Sequence, residues 1–350
     1  MIPAWLEIPC RAIDQSAMHA AEIHQQQLTK PPGSLGVLET LAIRFAGMQG
    51  VKRSTLERAH ITVFAGDHGI AEEGVSAFPQ AVTAEMVRNF ARGGAAISVL
   101  ARESHAHLEV VNVGTVSEIE PLKGVMDARI APGTANFSKY PAMSEQQRNQ
   151  ALDIGRSVVI HASEFDAQLF IAGEMGIANT SAATALSCFL LNLPAKSLAG
   201  PGTGLDADGV KHKIEVIDNA LAHHQKNVNS ALDALQYFAG FEMVAIVGAY
   251  ISCAQHGIPV LVDGFITSAA ALAAIRIKPE IEPWLIYSHR SQEPGHTVLM
   301  KALNAQPLLD LQMRLGEGSG AATALPLLRL ACNLHNQMAT FDEAAVSGKL

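Results

Sequence analysis

Aromatic side chains make up only 5% of this 350-residue chain and charged ones 17%, so its 49% hydrophobic share is carried by Ala, Leu, Val and Ile. Such a composition excludes disorder over most of the length and predicts a tightly packed, helix-rich interior. No basic excess exists: 25 Lys and Arg stand against 33 Asp and Glu, the net charge is −8, and the cations are scattered. Nucleic acid is thereby excluded as a partner, because phosphate neutralisation needs clustered Lys and Arg. Long apolar runs are also missing. Val244 to Ala254 is the kind of stretch present, well short of the roughly 18–20 residues that span a bilayer. The first residues, MIPAWLEIPCRAIDQ, lack a basic segment ahead of an unbroken apolar one, which argues against secretion. The four cysteines (Cys10, Cys188, Cys253, Cys332) lie far apart with no C-x-x-C pair. They read as buried small hydrophobes in a reducing cytoplasm. Fourteen histidines are present, yet His105/His107 and His223/His224 have no carboxylate or cysteine at ligand spacing. Neither a metal nor a cofactor is expected.

The length has room for two or three domains at roughly 150 residues each, or for one large α/β unit. Residues 1 to about 55 read as helices interrupted once by Leu28-Thr-Lys-Pro-Pro-Gly-Ser-Leu-Gly36, where Pro and Gly stop the helix and impose a shaped loop. From His60 onward, short β-branched runs end at glycine: 60–66, 108–114, 168–173, 196–200 and 258–264, with a sixth run at 284–289. Runs of this kind alternating with helical patterns predict an α/β fold, a doubly wound and mainly parallel sheet. In such sheets ligands bind beyond the carboxyl ends of the strands. The residues there are Asp67-His68-Gly69, Gly114-Thr115, Glu174-Met175-Gly176, Pro201-Gly-Thr-Gly204, Asp263-Gly264-Phe265 and Ser288-His-Arg-Ser291.

A local echo links Gly176-Ile-Ala-Asn-Thr-Ser-Ala-Ala-Thr-Ala-Leu186 to Gly318-Ser-Gly-Ala-Ala-Thr-Ala-Leu325, each closely preceded by a glutamate. Both predict a glycine turn opening a small-residue helix, whose free N–H groups and dipole can receive an anion. Gly200-Pro-Gly-Thr-Gly204 can cradle a phosphate, although a tight strand-to-helix turn accounts for it equally well. It has neither the G-x-x-x-x-G-K-[ST] nor the G-x-G-x-x-G spacing. Lys213, in the helical pattern 210–217, is placed where an ammonium could fold back to that loop; a solvated lysine is the plainer reading. His289 and His296 flank the polar loop 290–295, open to either a ligand-binding or a structural role. Glu317, set between Gly316 and Gly318 in apolar surroundings, is placed for a raised pKa and a proton-accepting role. A first-turn glutamate on the helix dipole is the alternative.

Six strings in this order, LTKPPGSLG (28–36), AGDHGIAEEGVSAFPQAVTAEMV (65–87), GEMGIANTSAATAL (173–186), GPGTGLD (200–206), PVLVDGFITSAAALAA (259–274) and RLGEGSGAA (314–322), resemble the nicotinate-nucleotide:dimethylbenzimidazole phosphoribosyltransferases. The resemblance runs nearly end to end. It implies transfer of phosphoribose from nicotinate mononucleotide to 5,6-dimethylbenzimidazole, giving α-ribazole 5′-phosphate and nicotinate with inversion at the anomeric carbon. By matching motif positions, Glu317 is implied as the general base. Gly202, Thr203 and Lys213 are implied to hold the phosphate, with Gly176, Asn179 and Gly264 positioning the nucleotide. Glu174 and Asp263 are implied at the ribose, Ser291 at the nicotinate carboxylate, and Phe78, Met86, Met175 and Leu315 around the benzimidazole ring. Some relatives carry polar side chains at the positions of Phe78 and Met86, so selection of the base by hydrogen bonding is weakened here. The resemblance further implies a Rossmann-like domain over 56–324, a small helical domain built from 1–55 and about 325–350, and a homodimer in the cytoplasm.

Within the resemblance, the same transfer to another lower-ligand base, adenine or a phenolic, is the alternative, and two other classes compete with it. A nicotinamide-dependent oxidoreductase needs G-x-G-x-x-G and an acidic residue about 20 positions on, and neither is present. A non-catalytic carrier needs no base in its pocket.

Overall fold

The chain folds around a sheet whose strands hold the β-branched runs, and a computed structural model describes residues 2–347. Two helices come first, α1 (Gln15–Gln27) and α2 (Val37–Gln49). Asp14 caps α1 by accepting from the Ala17 N–H at 2.9 Å. In the loop between them, Lys30 pairs with Glu39 at 2.9 Å, and Glu39 also accepts from the Gly33 and Leu35 amides. One carboxylate thus shapes the Pro-Gly segment.

There follow β1 (Ala59–Gly66), α3 (Ala81–Arg92), α4 (Ala96–Glu103), β2 (His107–Gly114), β3 (Val125–Asp127), α5 (Glu145–Glu164), β4 (Leu169–Met175) and α6 (Asn179–Leu191). The second half adds α7 (Ala207–His224), α8 (Ala231–Phe238), α9 (Phe241–His256), β5 (Val260–Val262), α10 (Phe265–Ile277), β6 (Leu285–Tyr287), α11 (Pro294–Ala302) and α12 (Ser319–Gln337). The sheet order is β3-β2-β1-β4-β5-β6 and every pairing is parallel. That is the order of a doubly wound Rossmann sheet.

Two strand assignments from the sequence need correction. Residues 196–200 are not a strand: Ala195–Ser197 is a short 3-10 helix, and β4 pairs directly with β5, which leaves no slot between them. The sixth strand is instead β3, three residues at the sheet edge and only partly buried. An edge strand needs no long apolar run, because only one neighbour covers it.

Helix α9 is buried along nearly its whole length, so Val244 to Ala254 serves the core. Among the described residues no helix is long and apolar enough to cross a membrane. Helix α9 meets α5 backbone to backbone: a methyl added at Gly155 would strike the Ala245 carbonyl, and one at Gly248 the Leu152 carbonyl. The two ends of the chain also join. Leu28 and Thr340 form an antiparallel bridge, Phe341 N–H donates to the Gln27 carbonyl, and Gln25 Nε2 lies 2.9 Å from His335 Nδ1. Helix α12 runs from the sheet's carboxyl edge into this terminal layer, where it packs on α2. It therefore crosses the expected boundary near residue 325. Residues 348–350 of the expected helical domain lie outside the described residues.

Candidate active site

At the carboxyl ends of β4 and β5 lies a cleft of about 370 Å³, within the size range of small-molecule sites. Its floor is acidic. Glu174 stands near the end of β4, Asp263 follows β5, and Glu317 immediately precedes the cap of α12. All three are at most 6% exposed.

Glu317 sits in a run of left-handed backbone, with φ of 90° at Gly316, 64° at Glu317 and 83° at Gly318. A non-glycine residue there costs roughly 1–2 kcal/mol, and such strain persists only where the surroundings over-determine it. They do so here. β4 presses Gly173 against the Glu317 carbonyl so closely that no Cβ fits. Asp263 Oδ1 accepts from the Ala321 N–H at 2.8 Å, which ties α12 to β5 by its exposed amides and dipole. The Ile97 N–H reaches Glu317 Oε2 at 3.4 Å. Burial and the nearby Asp263 hold the Glu317 carboxyl above the usual range.

Glu174 is pushed up to about 8 by burial and by the neighbouring carboxylates Glu242, Asp263 and Glu317. That favours the neutral acid at pH 7, and one of its oxygens accepts from Asn179 Nδ2. Folding therefore binds a proton at Glu174 between the ordinary value of 4.5 and about 8, so this residue makes the fold less stable as pH rises through that window. The variant Glu174→Gln stays neutral throughout. Its stability relative to the parent is expected to rise between about pH 5 and pH 8, read by urea unfolding at both ends. An unchanged difference would show that Glu174 is already ionised at neutral pH.

The opposite rim is a glycine loop. Gly202 is buried with φ of 55°, and Thr203 is exposed beside it. Lys213 folds back to the loop, as its place in the sequence allowed, but does not line the cleft. It is buried beneath the loop, donating to Thr180 Oγ1 at 2.8 Å and to the Gly200 carbonyl at 3.3 Å. Burial lowers its pKa to about 8, partly opposed by Glu293. Arg314 Nη1 donates to the Gly202 carbonyl at 3.3 Å, adding a cation at the rim. Gly176 precedes α6, and Asn179 and Thr180 begin it, so that helix's N-terminus opens on the cleft.

Gly264 caps α10. On the far side, Ser291 is held by its N–H on His296 Nδ1 at 2.9 Å. Burial and the adjacent His289 and Arg290 push His296 down to about 3, so its ring is a neutral acceptor. His289 also lines the cleft, its Nε2 being 3.6 Å from Asp263 Oδ1. Phe78, Met86, Met175 and Leu315 form an apolar wall, with Phe78 50% and Leu315 59% exposed. Side chains so exposed are not core packing.

Every site residue expected from the sequence thus lies on the cleft except Lys213. Thr180, Glu293 and Arg314 were not singled out from the sequence. Arg314 lay inside a quoted motif, and Glu293 precedes Pro294 at the start of α11, which is a signal of a helix cap and not of a ligand contact.

A family profile described as phosphoribosyltransferase matches residues 10–346. The nicotinate-nucleotide–dimethylbenzimidazole phosphoribosyltransferase of Pseudomonas putida (strain W619) is 57% identical over 349 residues, covering 100% of this chain and 99% of its own. The protein of the same name from Pseudomonas fluorescens (strain SBW25) is 56% identical over 349 residues, with the same shares covered. In three dimensions, the crystal structure of the nicotinate-nucleotide–dimethylbenzimidazole phosphoribosyltransferase from Thermus thermophilus superposes with a TM-score of 0.91 at 41% identity, over 96% of this chain and 100% of that one. Matched end to end in both sequence and fold, this chain belongs to the nicotinate-nucleotide–dimethylbenzimidazole phosphoribosyltransferase family of enzymes.

Proposed function

We propose that the cleft transfers the 5-phosphoribosyl group of nicotinate mononucleotide to a ring nitrogen of 5,6-dimethylbenzimidazole, with inversion at the anomeric carbon and Glu317 as general base. The observation that carries this reading is the buried, strained placement of Glu317 between an apolar wall and an anion-binding loop.

The phosphate is bound by the amides of Gly202 and Thr203, the Thr203 hydroxyl and the N-terminus of α6 beside Gly176 and Asn179. Lys213 acts through Thr180 and through its field, and Arg314 closes the rim. The nicotinate carboxylate meets Ser291 and the amides near Gly264. The benzimidazole lies on Phe78, Met86, Met175 and Leu315, with its N–H directed at Glu317. Its unprotonated nitrogen attacks C1′ as the bond from C1′ to the pyridinium nitrogen breaks, and that electron pair leaves with nicotinate. The ring proton, made acidic by the new bond, passes to Glu317. Positive charge developing on the ribosyl carbon faces the buried carboxyls of Asp263 and Glu317. Neutral Glu174 donates to a ribose hydroxyl. Selection of the base rests on shape, since the wall offers ring and thioether surfaces and no hydrogen-bond partner from Phe78 or Met86. The helices from the two termini form an appended layer, and the assembly is a homodimer.

The purified protein is incubated with nicotinate mononucleotide, with and without dimethylbenzimidazole, and both products are followed by chromatography. Nicotinate and α-ribazole phosphate in equal amounts, only when both substrates are present, are expected. Nicotinate released without the base would make the protein a hydrolase. Nucleotide binding without release would make it a carrier.

A further inference from the structure

At the amino-terminal ends of the strands, the parallel register of β1 and β2 sets His60 beside His107 and Thr62 beside Glu109. Residues two apart on a strand share a face, so two imidazoles and a carboxylate point the same way. His60 Nε2 is 2.9 Å from Glu109 Oε1, the His60 and His107 rings are 4.6 Å apart, and one donor atom from each of the three lies within 4.8 Å of the others. We propose that His60, His107 and Glu109 bind a borderline divalent transition-metal ion, Zn²⁺ in the first instance.

The donor set is the reason. Two neutral imidazoles and one carboxylate suit Zn²⁺ and its neighbours, and suit Mg²⁺ or Ca²⁺ poorly. A tetrahedral ion with bonds of about 2.0–2.1 Å needs donors about 3.3 Å apart. The His60–Glu109 pair is close to that already, and His107 is exposed at the start of its strand, free to swing inward. The surroundings orient the ligands as outer partners do in metal sites. Thr62 Oγ1 donates to the same Glu109 oxygen at 3.0 Å, and Phe170 stacks on the His60 ring with an interplanar angle of 12°. A cavity of about 260 Å³ lined by His60, His105 and His107 opens beside the cluster. It gives the ion a path and leaves a fourth position for water or His105. Glu57 on its wall adds negative charge, while Arg58, also on the wall, donates its Nε to the Asp166 carbonyl at 2.9 Å. His60 is six residues, roughly 20 Å, from the end of β1 near the cleft, so the ion is a clamp between the starts of β1 and β2 and takes no part in transfer.

The test uses tag-free, chelator-treated full-length protein titrated with Zn²⁺ in competition with a chromogenic chelator. Thermal unfolding and phosphoribosyl transfer are read alongside. The parent is expected to bind one Zn²⁺ per chain and to unfold at higher temperature with it. His107→Ala, at an exposed position that leaves folding intact, is expected to weaken binding at least about 100-fold and to abolish the thermal shift, as one of three protein ligands is gone. Glu109→Gln is expected to do the same, whereas His223→Ala, at the remote histidine pair, changes nothing. Transfer activity is expected to be equal in parent and His107→Ala, so a failed transfer assay leaves this result readable. No Zn²⁺ bound by the parent, equal affinity in His107→Ala, or an equal loss in His223→Ala would each overturn the proposal.

Discussion

Glu317→Gln is expected to lower kcat about 10²–10⁴-fold, the usual range for a general base, with the affinity for nicotinate mononucleotide unchanged. Gln keeps the volume of the side chain and an oxygen for the Ile97 N–H, but cannot take the benzimidazole proton. The pH dependence carries the sharper sign. A base works only when ionised, and burial with Asp263 nearby raises the Glu317 pKa. The parent's kcat therefore falls with decreasing pH through a limb above the ordinary carboxylate range, and Glu317→Gln loses that limb. Single-turnover chromatography across pH reads both effects. A variant with near-parental kcat would place the base elsewhere, and a change in KM alone would make Glu317 a positioning residue.

Gly173→Ala is expected to damage the same step from outside the cleft. The added methyl would run into the carbonyl of Glu317 and the amide of Gly318, both backbone atoms that cannot rotate away. Overpacking of this kind costs about 1–3 kcal/mol of stability. A turn displaced by about 1 Å costs roughly 100-fold in rate. Because the injury acts through Glu317, the double variant Gly173→Ala/Glu317→Gln should be little slower than Glu317→Gln alone. Additive losses in kcat would mean that Gly173 serves the fold and not the base.

The glycine-flanked Glu317, the Gly200–Gly204 loop and the carboxylates after two strand runs were legible because each is a local pattern. Positive φ at Gly316 and Gly318 is what glycine is suited to. Lys213 was legible as folding back to the glycine loop but not as buried beneath it. Reaching solvent or a ligand is the ordinary fate of a lysine, and only the packing of α7 under Thr180 buries its ammonium. Asp263 was expected at the ribose; the structure also engages it on the amides of α12, a contact 58 residues away along the chain.

The sequence by itself determined the α/β class, the parallel sheet and the run of glycine turns at the strand ends, while the family resemblance named most of the residues that line the cleft. The class, the sheet and the turns follow from periodicity, breakers and short-range spacing, which act within a few residues. Tertiary structure alone decided that 196–200 is no strand and that Val125–Asp127 is one, since edge position depends on which neighbours pair. It alone decided that β4 pins the Glu317 turn. It also brought His60 to His107 and Glu109, which already share a face of β2: histidines 47 residues apart carry no ligand spacing, and it is the hydrogen-bonded register of β1 on β2 that makes them neighbours.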